Sequence, residues 1–387
     1  MNDRARTDRT AVGIVVPARD EAARLPRALA ALASAVRAAE TRALVVVVAN
    51  ECRDETAALA RAAGERLGLV VRVVETSLPR GSGVGLARHI GMQSAGRTLD
   101  DEACLLTSDA DCLVRRDWVR ASLRALARAD AVCGNVVPDV TEFDPRSSSV
   151  LALGALEQAY ERLTLHYRAL HEPDELNPWP HHGRAAGASL GFRARAYREA
   201  GGFDDVTSDE DRLIVERMKN RGLRVVHADD VVVTASWRTD GRVVGGMATA
   251  LAERLASADP PVARRLMPAR VLRGWVALRA RCRRAIRNPR EARELLRECG
   301  RLAPLDECEL SFATLWECIE PRHPQLRHAR LRASDLEHEL TELQRLVRRD
   351  DDVARWPGAG TTRPSRSEAV LRRPPAPALE PTGAGEA

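Results

Sequence analysis

Apolar positions in the first 140 residues follow two periods in turn. Residues 11–18 (AVGIVVPA) are a short β-branched apolar run, the pattern of a strand covered on both faces. Residues 21–40 then place Leu25, Leu29, Leu32 and Val36 at helical intervals. The alternation repeats. Strands are predicted at 43–50, 69–75, 103–109 and 131–137, and helices at 54–68, with Asp54 as N-cap, 83–96 and 116–129. Strands alternating with helices imply βαβ units, here a mostly parallel Rossmann-like α/β sheet with helices on both faces. Such sheets bind ligands outside the carboxyl ends of their strands. Polar residues collect there: Arg19, Asp20 and Glu21 after the first strand, Asn50 and Glu51 after the second, Asp109 and Asp111 after the fourth.

The pattern changes in the second half. A helix is predicted at 152–170 and a loop rich in Pro, His and Gly at 171–192, then helix, loop, helix and strands to about 236. Residues 244–349 read as mainly helical and Arg-rich, with Leu295, Leu296, Leu302, Leu305 and Leu310 as packing positions. In 333–349, Leu336, Leu340, Leu343 and Leu346 form an apolar stripe that can cover the main domain or pair with a second copy. The tail, 350–387, has the Pro-, Gly- and charge-rich composition of a disordered segment. The expected division is a tail 1–10, an α/β domain 11–245, a helical extension 246–349 and a tail 350–387. No run reaches the roughly 18 apolar residues of a membrane helix, and the charged first ten residues lack a signal-peptide core, so a cytoplasmic location is expected.

Composition narrows the chemistry. The net charge of +5 is spread as arginine, and Lys219 is the one lysine, which excludes a phosphate loop ending in Lys-Ser or Lys-Thr. Aromatics are 3% of the chain, too few for base-stacking platforms, so nucleic acid is not an expected partner. None of the eight cysteines forms a C-x-x-C pair, and four sit in or beside apolar runs as small hydrophobes; neither zinc nor disulfides are expected.

Two acidic groups carry the candidate chemistry. Asp109 and Asp111, one residue apart at a strand end, either cap the next helix or hold a hard divalent cation, Mn²⁺ or Mg²⁺. Asp209, Glu210 and Asp211 precede a helix whose macrodipole favours an acid; three in a row exceed what capping needs, and one could act as a general base.

The segments VVPARDEA, VVVVANECRDETA, GSGVGLARHIG, LLTSDAD, GASLGFRARAYREAGGF and SDEDRL, in this order, resemble the family 2 glycosyltransferases of the GT-A fold over roughly residues 11 to 250. The resemblance implies metal-dependent, inverting transfer of a hexose-type sugar from a nucleotide-diphosphate donor to an acceptor. It implies that Pro17, Ala18, Arg19 and Glu21 line the nucleotide pocket and that Asn50 reads the base. It places Arg80 and Arg88 on the diphosphate, Asp109 on the ribose and Asp111 on the metal, with Asp109 beside it. Gly187, Ala188, Ser189 and Asp209 fall near donor sugar and acceptor. Glu210 and Asp211 match the catalytic pair, Asp211 as base. The chain departs from the family pattern at Ala49-Asn50-Glu51-Cys52 (commonly Asp-Asp-Gly-Ser), at His89 and at Ser189 (commonly Asn). Arg238 and Arg242 are further diphosphate candidates. His181, His182 and His227 are candidate metal or acceptor contacts, with His227 as a possible third metal ligand. The acceptor is expected to be a soluble small molecule or saccharide, because no hydrophobic helix is present. The oligomeric state is not specified.

Three other readings compete. The glycine loop at 81–91 superficially fits a nucleotide-binding oxidoreductase, but it follows the third strand and leaves both acidic groups idle. A sugar-phosphate nucleotidyltransferase would share the carboxylates but wants a glycine-rich loop after the first strand, where PARDEAARLP has none. A non-catalytic binding module would not need Asp109, Asp111 and Asp211 together.

Overall fold

The computed structural model describes residues 11–139, 141, 148–236, 253–300 and 310–355. Eight strands form one sheet: β1 (Val12–Ala18), β2 (Ala43–Asn50), β3 (Val70–Thr76), β4 (Cys104–Thr107), β5 (Cys112–Val114), β6 (Ala131–Pro138), β7 (Leu190–Arg193) and β8 (Val225–Ala235). Their order is β3-β2-β1-β4-β7-β6-β8-β5. The pairs β1–β2, β1–β4, β2–β3 and β6–β8 are parallel. β7 runs antiparallel between β4 and β6, and β5 pairs antiparallel with β8 at the edge. The chain builds outward from β1 to β3 and then returns to place β4 on the other side of β1. That reversal opens a crevice outside the carboxyl ends of β1 and β4, the usual ligand position in such sheets.

The strands are apolar throughout because both faces are covered. Ile14, Val16, Val45, Val47, Leu106 and Val132 pack with Leu29 and Leu32 of α1 (Leu25–Ala39) and with Trp118 and Leu126 of α4 (Trp118–Leu126). On the other face Val15, Val46, Val48, Leu105 and Phe192 meet Met92 of α3 (Val84–Gly96), Tyr197 of α6 (Ala194–Glu199), and Ile214 and Met218 of α7 (Glu210–Asn220). The remaining flanking helix is α2 (Thr56–Leu67).

Three features differ from the pattern-based reading. β7 begins within the segment predicted as a loop and ends one residue past it, and β5 follows the acidic turn directly; at four and three residues, neither is long enough to show a period. α5 (Ser148–His171) turns away from the sheet. Its Leu153, Tyr160 and Tyr167 join Leu272 and Trp275 of α8 (Ala269–Ala285), Leu295 of α9 (Pro289–Glu298), Trp316 of α10 (Phe312–Ile319) and Leu336 and Leu343 of α11 (Leu336–Arg355) in a third core. The leucine stripe of α11 therefore packs on its own chain, and the helix continues to Arg355, past the expected start of the tail at 350. Leu302 and Leu305 lie outside the described residues, as do 1–10 and 356–387. Among the described residues no helix is long and apolar enough to cross a membrane.

Candidate active site

The rim of the crevice is two turns laced together. After β1, Asp20 adopts a left-handed conformation (φ 52°) and its Oδ1 accepts the Arg53 N–H at 2.6 Å. In return Asp54 accepts the Ala22 N–H at 3.0 Å, and Glu21 donates its N–H to Thr56 Oγ1 at 2.8 Å. These bonds place Pro17, Ala18, Arg19 and Glu21 beside Asn50 and Glu51. Asn50 Oδ1 accepts the Leu78 N–H at 3.0 Å, tying in the loop that carries the exposed Arg80. The Arg19–Glu51 pair, at 2.9 Å, is largely solvated and adds little stability. Asp20, Cys52 and Asp54 approach one another closely enough to suggest a cation site, but their hydrogen bonds are those of the turns, and burial pushes the Cys52 thiol up, keeping it protonated.

The second element is the turn between β4 and β5. β4 ends at Thr107 and β5 starts at Cys112, so Asp109 and Asp111 occupy a tight reversal, and the ligating atoms of Asp109, Asp111 and Cys112 lie within 4.8 Å of one another. Asp111 also lines a cavity with Arg24, Arg27, Leu113, Asp139, Thr234 and Ser236. Arg24 and Arg27, at the start of α1, are cationic neighbours that sequence reasoning missed; their signal was a three-residue spacing directly after PARDEA. A larger open hollow of about 610 Å³, lined by Arg37, Glu40, Arg115, Asp117 and Arg120, lies at the opposite end of α1 from the crevice.

The third element joins the acidic groups. Arg88, on α3, has a guanidinium only 4% exposed; Nη2 donates to Asp109 Oδ1 at 2.5 Å and Nη1 donates to Glu210, the first residue of α7. Burial works against its charge, but Asp109, Glu210 and Asp211 hold its pKa above the ordinary value. Burial pushes Glu210 up, and Arg88 only partly offsets this while Asp211 and Asp109 add to it. Arg88 was expected to face a diphosphate. In the structure both of its terminal nitrogens are engaged by carboxylates, which it bridges. Its Nε finds no hydrogen-bond partner among the described residues.

The last element is the turn Gly187–Ser189. Gly187 donates its N–H to Asp211 Oδ2 at 2.9 Å, while Arg212 N–H binds Asp211 Oδ1 at 2.7 Å. A Cβ on Gly187 would lie 2.3 Å from Arg88 Cζ, so only glycine fits. Gly187→Ala is expected to displace the guanidinium and cost about 1–3 kcal/mol, read as a lower urea midpoint. Ala188 and Ser189 do not face the crevice as expected. Ala188 joins the core, and buried Ser189 Oγ accepts the Trp118 Nε1–H at 3.0 Å. Asp209 sits at the N-cap position in a left-handed conformation (φ 67°), yet among the described residues its side chain makes no capping bond. Capping therefore does not account for it.

Other expectations resolve differently. His227 is not a third metal ligand: its Nε2 meets Lys219 Nζ at 2.8 Å and its Nδ1 the Arg184 carbonyl at 3.2 Å. His181 and His182 pack against it, with ring centroids 5.1 Å away in each case. His89 meets Tyr197 and Gln93 at 3.0 and 2.9 Å. Gly83 of the glycine loop lies against the Val206 carbonyl, 1.8 Å from where a Cβ would stand; close packing explains it without a dinucleotide. Arg238 and Arg242 lie outside the described residues.

A family model described as Glycosyltransferase like family 2 matches residues 9–256. No curated protein matches the chain in sequence. Among solved structures, S. aureus TarS 1–349 in complex with UDP-GlcNAc is 15% identical, covering 81% of this chain and 71% of that one, with a TM-score of 0.44. The chain spans 37% of the length of another S. aureus TarS structure, which covers 59% of this chain at 14% identity and a TM-score of 0.42. The mannosyltransferase PcManGT from Pyrobaculum calidifontis, in complex with GDP-Man and Mn²⁺, is 16% identical over 91% of this chain and 82% of that one, with a TM-score of 0.42.

Proposed function

Since the chain belongs to the glycosyltransferase-like family 2, and is a glycosyltransferase, we propose that it moves a sugar from a nucleoside-diphosphate donor to the hydroxyl of a small-molecule or saccharide acceptor, with inversion. The observation that carries the reading is Arg88. One buried guanidinium ties Asp109, at the end of β4, to Glu210, beside Asp211, so both acidic groups open on the same crevice.

In this reading the donor nucleotide lies over Pro17, Ala18, Arg19, Glu21 and Asn50, with Asp109 on the ribose. Arg80, Arg24 and Arg27 supply positive charge for the diphosphate. Asp111 and Asp109 would hold a divalent cation. The donor set fits a hard ion: burial and the two aspartates keep the Cys112 thiol well above its ordinary pKa, leaving two carboxylates as ligands. When bound, Mn²⁺ or Mg²⁺ neutralises the charge that develops on the departing diphosphate. Asp211 takes the proton of the acceptor hydroxyl as it attacks the anomeric carbon. Gly187 N–H fixes the carboxylate for that step, and Glu210 acts through Arg88 as a positioning residue.

A thermal-shift panel of UDP, GDP, CDP, dTDP and NAD⁺, each with and without Mn²⁺, tests this. One nucleoside diphosphate is expected to stabilise the protein only with metal, by about 2.7 kcal/mol at a hundredfold excess over Kd. Asp111→Asn is expected to remove the metal-dependent increment while leaving the unliganded melting temperature nearly unchanged. Stabilisation by NAD⁺ alone, or by nothing, would overturn the proposal.

A further inference from the structure

After α5 the chain runs as a strap, residues 172–186, into Gly187. Three side chains dock it on the sheet. Asn177 accepts the His227 N–H through Oδ1 at 2.6 Å and donates Nδ2–H to the Val225 carbonyl at 2.7 Å. His182 places Nε2 3.1 Å from the Cys133 carbonyl and Nδ1 3.2 Å from the Arg184 N–H. His227 places Nδ1 3.2 Å from the Arg184 carbonyl and Nε2 2.8 Å from Lys219 Nζ. A carbonyl only accepts and an N–H only donates, which assigns the protons. His182 carries its proton on Nε2 and His227 on Nδ1, with Lys219, the chain's one lysine, donating to His227 Nε2. Both rings are neutral. A second proton on His182 would face the Arg184 N–H, and one on His227 would face the Lys219 ammonium.

We propose that His182 and His227 are positioning residues that hold the strap, and through Gly187 the Asp211 carboxylate, only while both rings are neutral, so that acid releases it. The consequence for turnover rests on the reading of Asp211 as the base; the docking does not. The charged and titratable groups around the rings are Lys219 from α7, Cys133 from β6, Asp229 from β8, and Asp174, His181 and Arg184 from the strap. Glu161 of α5 holds Arg184 at 3.2 Å. Cys133 is pushed up to about 12 by burial, and His181 is held down at about 4 by burial, Lys219 and His182. Burial pushes His182 down and His227 well below the ordinary imidazole value, with Lys219 opposing its protonation further. A released strap would therefore bind protons that the docked one does not, and docking weakens as pH falls below about 6.5. With two rings involved, the loss is steeper than a single titration.

Amide hydrogen exchange on the full chain, from about pH 7.5 to about pH 5 and corrected for the intrinsic exchange rate, reads this directly. Amides of 176–187 are expected to lose protection together on the acid side while β1 to β4 keep theirs. Lys219→Met removes the cation that opposes protonation of the docked ring, narrows the difference in proton binding between docked and released states, and is expected to move the release downward by about one pH unit; Lys219→Arg stays near the native profile. Strap protection that is flat with pH, that falls only with the whole sheet, or that is unmoved by Lys219→Met would overturn the proposal. No donor or acceptor is needed for this readout, so an active Asp211→Asn enzyme would sink the base assignment and leave the strap standing, and the reverse also holds.

Discussion

Arg88→Met is expected to destabilise the protein by about 3–5 kcal/mol and to abolish transfer in the fraction that still folds. The guanidinium is nearly sealed from water and is bonded to two carboxylates, Asp109 and Glu210. Removing one partner of a buried ionic group leaves uncompensated charge, and that penalty exceeds anything a surface pair would show. Here the removed partner is shared, so two carboxylates lose their counter-ion at once. Glu210 is the more sensitive, because burial already pushes its pKa up against the pull of Arg88. Arg88→Lys is expected to recover only part of the loss, since one ammonium cannot reproduce a fork that reaches two carboxylates in fixed directions. The check is urea unfolding of the single variants and of Arg88→Met/Glu210→Gln. Neutralising Glu210 in the Arg88→Met background should restore about 1 kcal/mol or more, a coupling that only contacting groups show. Additive losses would mean that the three groups do not act as one unit.

The sequence disclosed those parts of the molecule in which local pattern and tertiary environment agree. β1, β2 and β4 are covered on both faces, so their apolar runs carry the signal by themselves, and the acids at their ends stood out against that background. β7 was not legible because its place in the centre of the sheet is set by pairing with β4 and β6, and four residues hold no period. The role of Arg88 was hidden for a related reason. Its partners lie 21 and 122 residues away, and a motif position reports that an arginine is needed without reporting what it faces. Ser189 and His227 show the same limit: each has the residue type of a ligand contact, and each is engaged by Trp118 or by Lys219 and Arg184 instead. Asp209 to Asp211 were recognised as too many acids for a cap, and the geometry sharpens this, since Asp211 is bonded to Gly187 from another element and Asp209 caps nothing among the described residues.

Asp211→Asn is expected to lower transfer by about 10²–10⁴-fold while leaving metal-dependent donor binding unchanged. The substitution is chosen for what it preserves. An asparagine side chain has the same shape, and its carbonyl oxygen can still accept the Gly187 N–H that Asp211 Oδ2 accepts at 2.9 Å, so the turn before β7 and the start of α7 keep their contact. What disappears is the capacity to take a proton, together with the Arg212 N–H bond that Oδ1 accepts at 2.7 Å. An acceptor hydroxyl attacks slowly unless its proton leaves during the attack, and an amide cannot receive it. The donor side should not register the change, because the carboxylates assigned to metal and ribose are Asp111 and Asp109. Glu210→Gln provides the contrast: it weakens the hold on Arg88 and should lower stability and transfer together. The measurement is initial-rate kinetics on both variants beside their thermal shifts with nucleoside diphosphate and Mn²⁺. A collapse in kcat with a native thermal shift supports Asp211 as the base. Retained kcat would pass that role to Asp209, two residues earlier at the N-cap position and without a capping bond among the described residues.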